Sequence, residues 1–240
     1  MMKFSTSPIT SRINHIILCE FMTLTIISDV HGKIDDYLKI ARQSEFTLQL
    51  GDFGFSSAWN ALNYSGLSPD NHKICTGNHD DHDTAIKSPY CLGDYGTTIL
   101  GGVSLFFIRG GLSIDRLYRE VDRVNGGPRT YWTQEELNFT QMLECMDLYR
   151  KVKPSVVISH EPPCQFIPDL TSSDKMMTKY GFHKGFIDNT SLLCNELLNI
   201  HTPSLWIFGH FHHSMVINSI PGLKAVSLAE LETYEIGDGS

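Results

Sequence analysis

Met22-Thr23-Leu24-Thr25-Ile26-Ile27-Ser28-Asp29-Val30-His31 is an apolar, β-branched run that stops abruptly on an aspartate and a histidine. Leu24 to Ser28 has the length and content of a buried strand. Polar residues placed directly after a strand lie beyond its carboxyl end, where open α/β folds hold their ligands. The same pattern recurs downstream. Thr47 to Leu50 runs into Gly51-Asp52, Lys73 to Thr76 into Gly77-Asn78-His79-Asp80, Ser155 to Ser159 into His160, and Leu205 to Phe208 into Gly209-His210-Phe211-His212-His213. A helical pattern over Asp35 to Ser44, with Leu38, Ile40 and Ala41 among charges, returns the chain from the first strand to the second. Alternation of this kind predicts crossover units and sheets covered on at least one face, an α/β protein.

Working outward, Thr97 to Ile108 reads as two β-rich runs around Gly101-Gly102, an antiparallel hairpin. Thr133 followed by Gln134, Glu135 and Glu136 reads as a helix N-cap with an acidic first turn, and the helix is expected to run on to Pro154. Glu161 to Lys184 reads as a long loop beside the strand ends, a place that carries function more often than core does. Phe186 to Leu198 reads as a helix, and Met215 to Ile220 with Ala225 to Leu228 as a hairpin turned by Pro221-Gly222. There is no internal repeat or low-complexity tract.

The 240 residues are 41% hydrophobic, enough for one sizeable core. A net charge of -8 argues against a broad footprint for long nucleic acid or an anionic membrane. The six cysteines, Cys19, Cys75, Cys91, Cys145, Cys164 and Cys194, are scattered and form no CxxC pair, so they read as free thiols in a reducing compartment, the cytoplasm. The apolar stretch Ile13 to Ile27 is interrupted by Asn14, His15 and Glu20 and is too short and polar to span a bilayer. No signal peptide is evident. Residues 1–21 read as an N-terminal extension, disordered or the product of a misassigned start.

Taken singly, Asp29-x-His31 and Gly51-Asp52 are weak signals, since such residues often serve turns and caps. Gly77-Asn78-His79-Asp80 is stronger, because three consecutive polar side chains are costly to bury without partners. His210-x-His212 sets two imidazoles on one side of an extended segment, a geometry suited to gripping metal. Five strand ends that all deliver carboxylate, imidazole or amide make a single shared site the economical reading.

At that level the sequence resembles the calcineurin-like metallophosphoesterases, whose motifs run DxH, GD, GNH[DE], a lone H and GHxH in this order. The resemblance extends from Thr23 to about Leu231, within a domain taken as residues 22–240, and is to small single-domain bacterial and phage-type members. It implies a four-layer fold, two packed mixed β-sheets flanked by helices, and a centre of two divalent metal ions. By the resemblance Asp29, His31 and His212 hold one ion, Asn78, His160 and His210 hold the other, and Asp52 bridges them. His79 then sits over the substrate phosphate, stabilising charge or protonating the leaving oxygen. The residue chemistry agrees: imidazole, carboxylate and amide oxygen without thiolate suit manganese first, with iron, zinc or nickel as alternatives. Two such ions about 4 Å apart can hold a hydroxide nucleophile and clamp a phosphoryl group. Asp80 is placed either to orient His79 or to cap a following helix.

The protein Ser/Thr phosphatases of this family extend the second motif to GDxxDRG, whereas this chain has Gly51-Asp52-Phe53-Gly54-Phe55, so a phosphatase of that branch is not expected. The outer phosphate oxygens must find another partner, and Arg109, Arg116 and Arg119 are the candidates, each weighed against plain salt bridging. His15, His72, His82, His183, His201 and His213 read as solvated or packed, and Trp59, Trp132 and Trp206 as packing. Met176-Met177 and Phe182 either line a pocket or anchor the loop. The expected activity is hydrolysis of a small phosphomonoester or phosphodiester. A nuclease or cyclic-nucleotide phosphodiesterase is the rival within the class, and a scaffold that has lost its metals the rival outside it. The physiological ester and the oligomeric state are left open.

Overall fold

The computed structural model describes residues 23–170, 178–182 and 186–237. The expected extension over residues 1–21, with His15, the Met176-Met177 pair and His183, lies outside them. Among the described residues ten strands form two sheets: β1 (Leu24–Ile27), β2 (Phe46–Gln49), β3 (His72–Ile74), β4 (Tyr95–Leu100), β5 (Val103–Ile108), β6 (Val156–Ser159), β7 (Leu205–Phe208), β8 (Met215–Ile217), β9 (Lys224–Ser227) and β10 (Thr233–Ile236). One sheet has the order β10-β1-β2-β3 and the other β4-β5-β6-β7-β9-β8. In the first, β1, β2 and β3 are parallel and β10 is antiparallel. In the second, β5, β6, β7 and β9 are parallel between antiparallel edges β4 and β8.

Strand alternation explains why the sheets stack. Side chains on successive residues point to opposite faces, so each buried strand must be apolar on both. Leu24, Ile26, Leu48 and Leu50 of the first sheet meet Leu105, Phe107, Ile158, Ile207 and Val226 of the second in one cluster. On the outer face of the second sheet, Phe106, Ile108, Val157, Trp206 and Phe208 pack with Cys145, Tyr149, Leu193 and Leu197. These last come from helices α5 (Phe139–Val152) and α7 (Asn189–Ile200). The first sheet is covered by α1 (Ile34–Ala41), α2 (Ser56–Asn63) and α3 (His82–Ala85), which supply Tyr37, Leu38, Trp59, Leu62 and Ala85. The result is the expected four layers. The remaining helices, α4 (Arg116–Val124) and the short α6 (Ile167–Leu170), lie in the connections. Among the described residues no helix is long and apolar enough to cross a membrane.

Several boundaries differ from expectation, and each has a local cause. The helix expected from Thr133 begins instead at Phe139, because Asn138 and Gln141 form a reciprocal capping box. Residues 132–137 are held out of the helix: Gly111 N–H donates to the Glu135 carbonyl, and Ser113 N–H to the Glu135 carboxylate. Asp188 caps α7 three residues later than expected, accepting from Ser191 N–H at 2.8 Å. Part of the expected loop after Glu161 is helical, as a 3₁₀ turn over Cys164–Phe166 and then α6. Strand β10 was not anticipated, since Thr233-Tyr234-Glu235-Ile236 is only half apolar, and its place as an edge beside β1 explains that content.

Candidate metal centre

Parallel strands run their carboxyl ends to one edge of the sandwich, and that edge gathers the polar clusters. Asp29 follows β1, Asp52 follows β2, Asn78 and His79 follow β3, His160 follows β6, and His210 and His212 follow β7. Asp29, Asp52, Asn78 and His160 are buried. His31, His79 and His210 are partly exposed and His212 is exposed, so a dry floor opens to solvent on one side.

The donor atoms fall into two groups that share Asp52. In the first, His31 Nε2 lies 2.9 Å from His212 Nε2, 3.6 Å from Asp52 Oδ2 and 4.0 Å from Asp29 Oδ1, and His212 Nε2 lies 3.3 Å from Asp29 Oδ1. In the second, His160 Nε2 lies 3.0 Å from Asn78 Oδ1 and 3.2 Å from Asp52 Oδ1, while His210 Nδ1 lies 3.1 Å from Asn78 Oδ1 and 3.2 Å from His160 Nε2. A divalent ion about 2.1 Å from each donor spaces neighbouring donors about 3.0 Å apart in an octahedron and about 3.4 Å in a tetrahedron. The second group matches those spacings throughout, and the first matches them for His31–His212 and His212–Asp29, with His31 standing 3.6 and 4.0 Å from the two carboxylates. Hydrogen bonds alone satisfy them poorly, because His31 Nε2 faces another imidazole nitrogen, and Asn78 Oδ1 and Asp52 Oδ1 both crowd the single Nε2 of His160. The residues would therefore fit two cations, one Asp52 oxygen facing each group.

The backbone is bent to achieve this. Among the described residues six non-glycine residues have positive φ, and four of them are His31 (47°), Asp52 (53°), His210 (68°) and His212 (54°). Left-handed backbone of this kind persists only where the surroundings enforce it, and it clusters at functional sites. It also corrects the expectation for His210-x-His212: the segment is not extended, and its two rings serve different groups. Two motif glycines are there for space. A Cβ on Gly77 would collide with the Asp52 carboxylate, and one on Gly209 with that of Asp29.

Most donors are fixed from behind. His160 Nδ1 bonds the Leu50 carbonyl at 3.1 Å, which leaves Nε2 bare toward the group. Asn78 Nδ2 donates to Ser113 Oγ at 3.1 Å, turning its oxygen inward. Asp29 accepts from Ser28 Oγ and from His210 N–H. Burial alone would raise Asp52, but the charge of His160, then that of His79, holds its carboxyl well below the usual range. Burial would lower His160 too, yet Asp52 beside it raises it to about 9. Burial and the neighbouring His160 push His210 down to about 3.

Other expected residues sit as follows. His79 N–H donates to Asp52 Oδ1 at 2.7 Å, and its ring faces the mouth, 3.5 Å from Arg119 Nη2. Arg119 is anchored by Asp115 at 2.7 Å and by the Thr130 carbonyl at 3.0 Å. Arg116 opens α4, half-buried. Arg109 faces elsewhere: it is buried and committed to Asp94 at 2.5 Å and the Gln134 carbonyl at 2.5 Å, so it ties strands to loop and does not point at the centre. Asp80 neither orients His79 nor caps a helix. It accepts from Gly54 N–H at 2.8 Å and Gly77 N–H at 2.7 Å, clamping the two motif loops together, and Asp81 is the cap of α3. His72, His82 and His201 lie packed in the fold, and His213 is exposed. Glu161 was missed. It is 1% exposed and lies 3.2 Å from His210 Nε2. The available signal was an acid directly after a strand-end histidine and ahead of Pro162-Pro163.

The fold and site are a two-sheet sandwich with two candidate metal-ligand groups at one edge. The sequence profile of the Metallophos family, calcineurin-like phosphoesterases, matches residues 22–214, and the chain belongs to that family. A dimetal phosphatase from Danio rerio superposes with a TM-score of 0.50 at 12% identity, covering 88% of this chain and 88% of that one. The crystal structure of TT1561 of Thermus thermophilus gives 0.49 at 12% identity, over 90% and 99% of the two chains. A further crystal structure gives 0.56 at 12% identity, over 90% and 95%. At such identity the likeness to the first and the third speaks for the fold alone. No curated protein matches the sequence.

Proposed function

We propose that this protein hydrolyses a phosphoric ester at a centre of two divalent metal ions, one held by Asp29, His31 and His212, the other by Asn78, His160 and His210, with Asp52 shared. The observation that carries this reading is Asp52, whose two oxygens face two separate ligand groups. Bound ions would supply charge neutralisation and activation of water at neutral pH. Manganese leads the choice, since the donor set is nitrogen and oxygen without sulfur. His79 stands at the mouth as proton donor to the leaving oxygen, and Arg119 beside it as the fork for an outer phosphate oxygen. Arg116 is the second cationic candidate.

A small substrate is the reading the charge favours, since the chain's net charge of -8 disfavours a long polyanion. Among the described residues Cys75, Cys91, Cys145, Cys164 and Cys194 are free thiols, which fits a reducing compartment such as the cytoplasm.

The test assays metal-stripped protein on p-nitrophenyl phosphate and bis(p-nitrophenyl) phosphate, with and without manganese. Metal-stimulated turnover of at least one ester is expected, and the ratio sorts monoesterase from diesterase. Absence of turnover on both would sink the proposal. His79→Ala should keep both metals while kcat falls by roughly 10²–10⁴-fold, and loss of metal in that variant would overturn the role given to His79.

A further inference from the structure

The residues on the far side of the ligands differ in one respect. His160 is held by a backbone carbonyl, Asn78 by a serine hydroxyl, and Asp29 by a serine hydroxyl and a backbone amide. All of these are neutral partners. His210 directs Nδ1 into the second group, and its other nitrogen, Nε2, meets Glu161 Oε2 at 3.2 Å. The approach is within ion-pair distance, and Oε2 makes no hydrogen bond among the described residues.

Glu161 is held in place independently of His210. Its carbonyl accepts from Ser159 Oγ at 2.7 Å, and Ser159 in turn accepts from Trp206 Nε1 at 2.8 Å. Trp206 is wholly buried in the core. Cys194 Sγ approaches the same carbonyl at 3.6 Å. Pro162 and Pro163 follow directly, with φ confined by their rings. Opposite the carboxylate, Gly111 leaves the room it occupies, since a Cβ there would stand 2.9 Å from Oε2. An acid fixed this firmly and 1% exposed is costly to the empty fold unless a cation stands nearby. The polar atom 3.2 Å from its Oε2 belongs to a ligand of the second group.

We propose that Glu161 is a positioning residue for the second metal: it accepts the Nε2–H of His210, fixes the tautomer whose Nδ1 is bare toward the ion, and adds a negative charge behind that ligand. Carboxylate–histidine–metal pairs of this kind make the imidazole a better donor, and their removal characteristically lowers metal affinity about 10–100-fold. The inference rests on the metal-centre reading above and deepens it.

The test is a manganese titration of chelator-stripped protein, with free Mn(II) followed by electron paramagnetic resonance, alongside thermal melting of the metal-free forms. Wild type should take up two ions. Glu161→Ala should weaken one of the two sites about 10–100-fold and leave the other at wild-type affinity. Glu161→Gln, which keeps an acceptor oxygen but no charge, should recover part of the loss. Gly111→Ala, which crowds the carboxylate, should resemble Glu161→Ala. Metal-free Glu161→Ala should melt at or above wild type, because it loses an unpartnered buried acid. Two wild-type affinities in Glu161→Ala would overturn the inference, as would a metal-free variant melting well below wild type, the mark of a merely structural residue. A wild type that binds no manganese would instead overturn the metal-centre reading itself.

Discussion

Asp52 shows how much one residue is asked to do. Its φ is 53°, its backbone carbonyl accepts from Val30 and His31 N–H, and its carboxylate meets His79 N–H, His160 and His31. Asp52→Asn preserves the shape but replaces one acceptor oxygen with a donor that points at bare nitrogen or metal. We expect the purified variant to retain fewer than two metals and to lose at least about 100-fold in turnover, read by metal analysis and ester assay together. Asp80, three residues from Gly77, invites assignment to catalysis by its motif alone. Its two bonds to Gly54 and Gly77 N–H show a clamp between loops, and only spatial neighbours could reveal that.

At the scale of elements, α4 and the segment leading into α5 frame the mouth. Arg119 reaches His79 because Asp115, four residues back, and the Thr130 carbonyl fix its guanidinium. Arg119→Ala should raise KM for a phosphomonoester roughly 10-fold, the value of one charge-assisted contact, while metal content stays at wild type. The segment 132–137 hides Glu135, 2% exposed, whose carboxyl burial pushes up to about 7. A raised acid favours the fold while it is protonated. Its contribution is complete below the ordinary value of 4.5 and is lost as pH rises through about 7. Glu135→Gln should therefore change melting little at pH 4.5 and stabilise the protein at pH 8, by about 3 kcal/mol at most. Equal effects at both pH values would contradict this. The same segment shows why the start of α5 was misjudged. Thr133 with three following polar residues is a good local cap, but Glu135 is drawn inward by Ser113, and Asn138 with Gln141 makes the better one.

For the whole molecule, the sandwich brings buried Asp29 and Asp52 to one edge with no lysine or arginine paired to them among the described residues. Cations bound there stabilise the folded state alone, by about 2.7 kcal/mol per site at a hundredfold excess over Kd. At about 2–4 °C per kcal/mol for a chain of this size, saturating manganese should raise Tm on the order of 10 °C over chelator-treated protein. A melting temperature indifferent to manganese would count against a built centre.

The sequence by itself determined what short-range chemistry can write. Short continuous apolar, β-branched runs fixed most of the strands, and a polar cluster after each of five strands fixed the ligand types and their place at carboxyl ends. What only the tertiary structure decided depends on atoms far apart in the chain. The division of the ligands into two groups was implied by family resemblance alone, and the left-handed φ of His210 and His212 sets it out in space. Arg109 turned out to be bound to Asp94 and Gln134. Glu161 stood beside His210, 49 positions away. Hydrophobic periodicity is a property of neighbours along the chain and survives in the sequence. Partnership across a site depends on which strands lie side by side, and that is set by the packing of the two sheets as a whole.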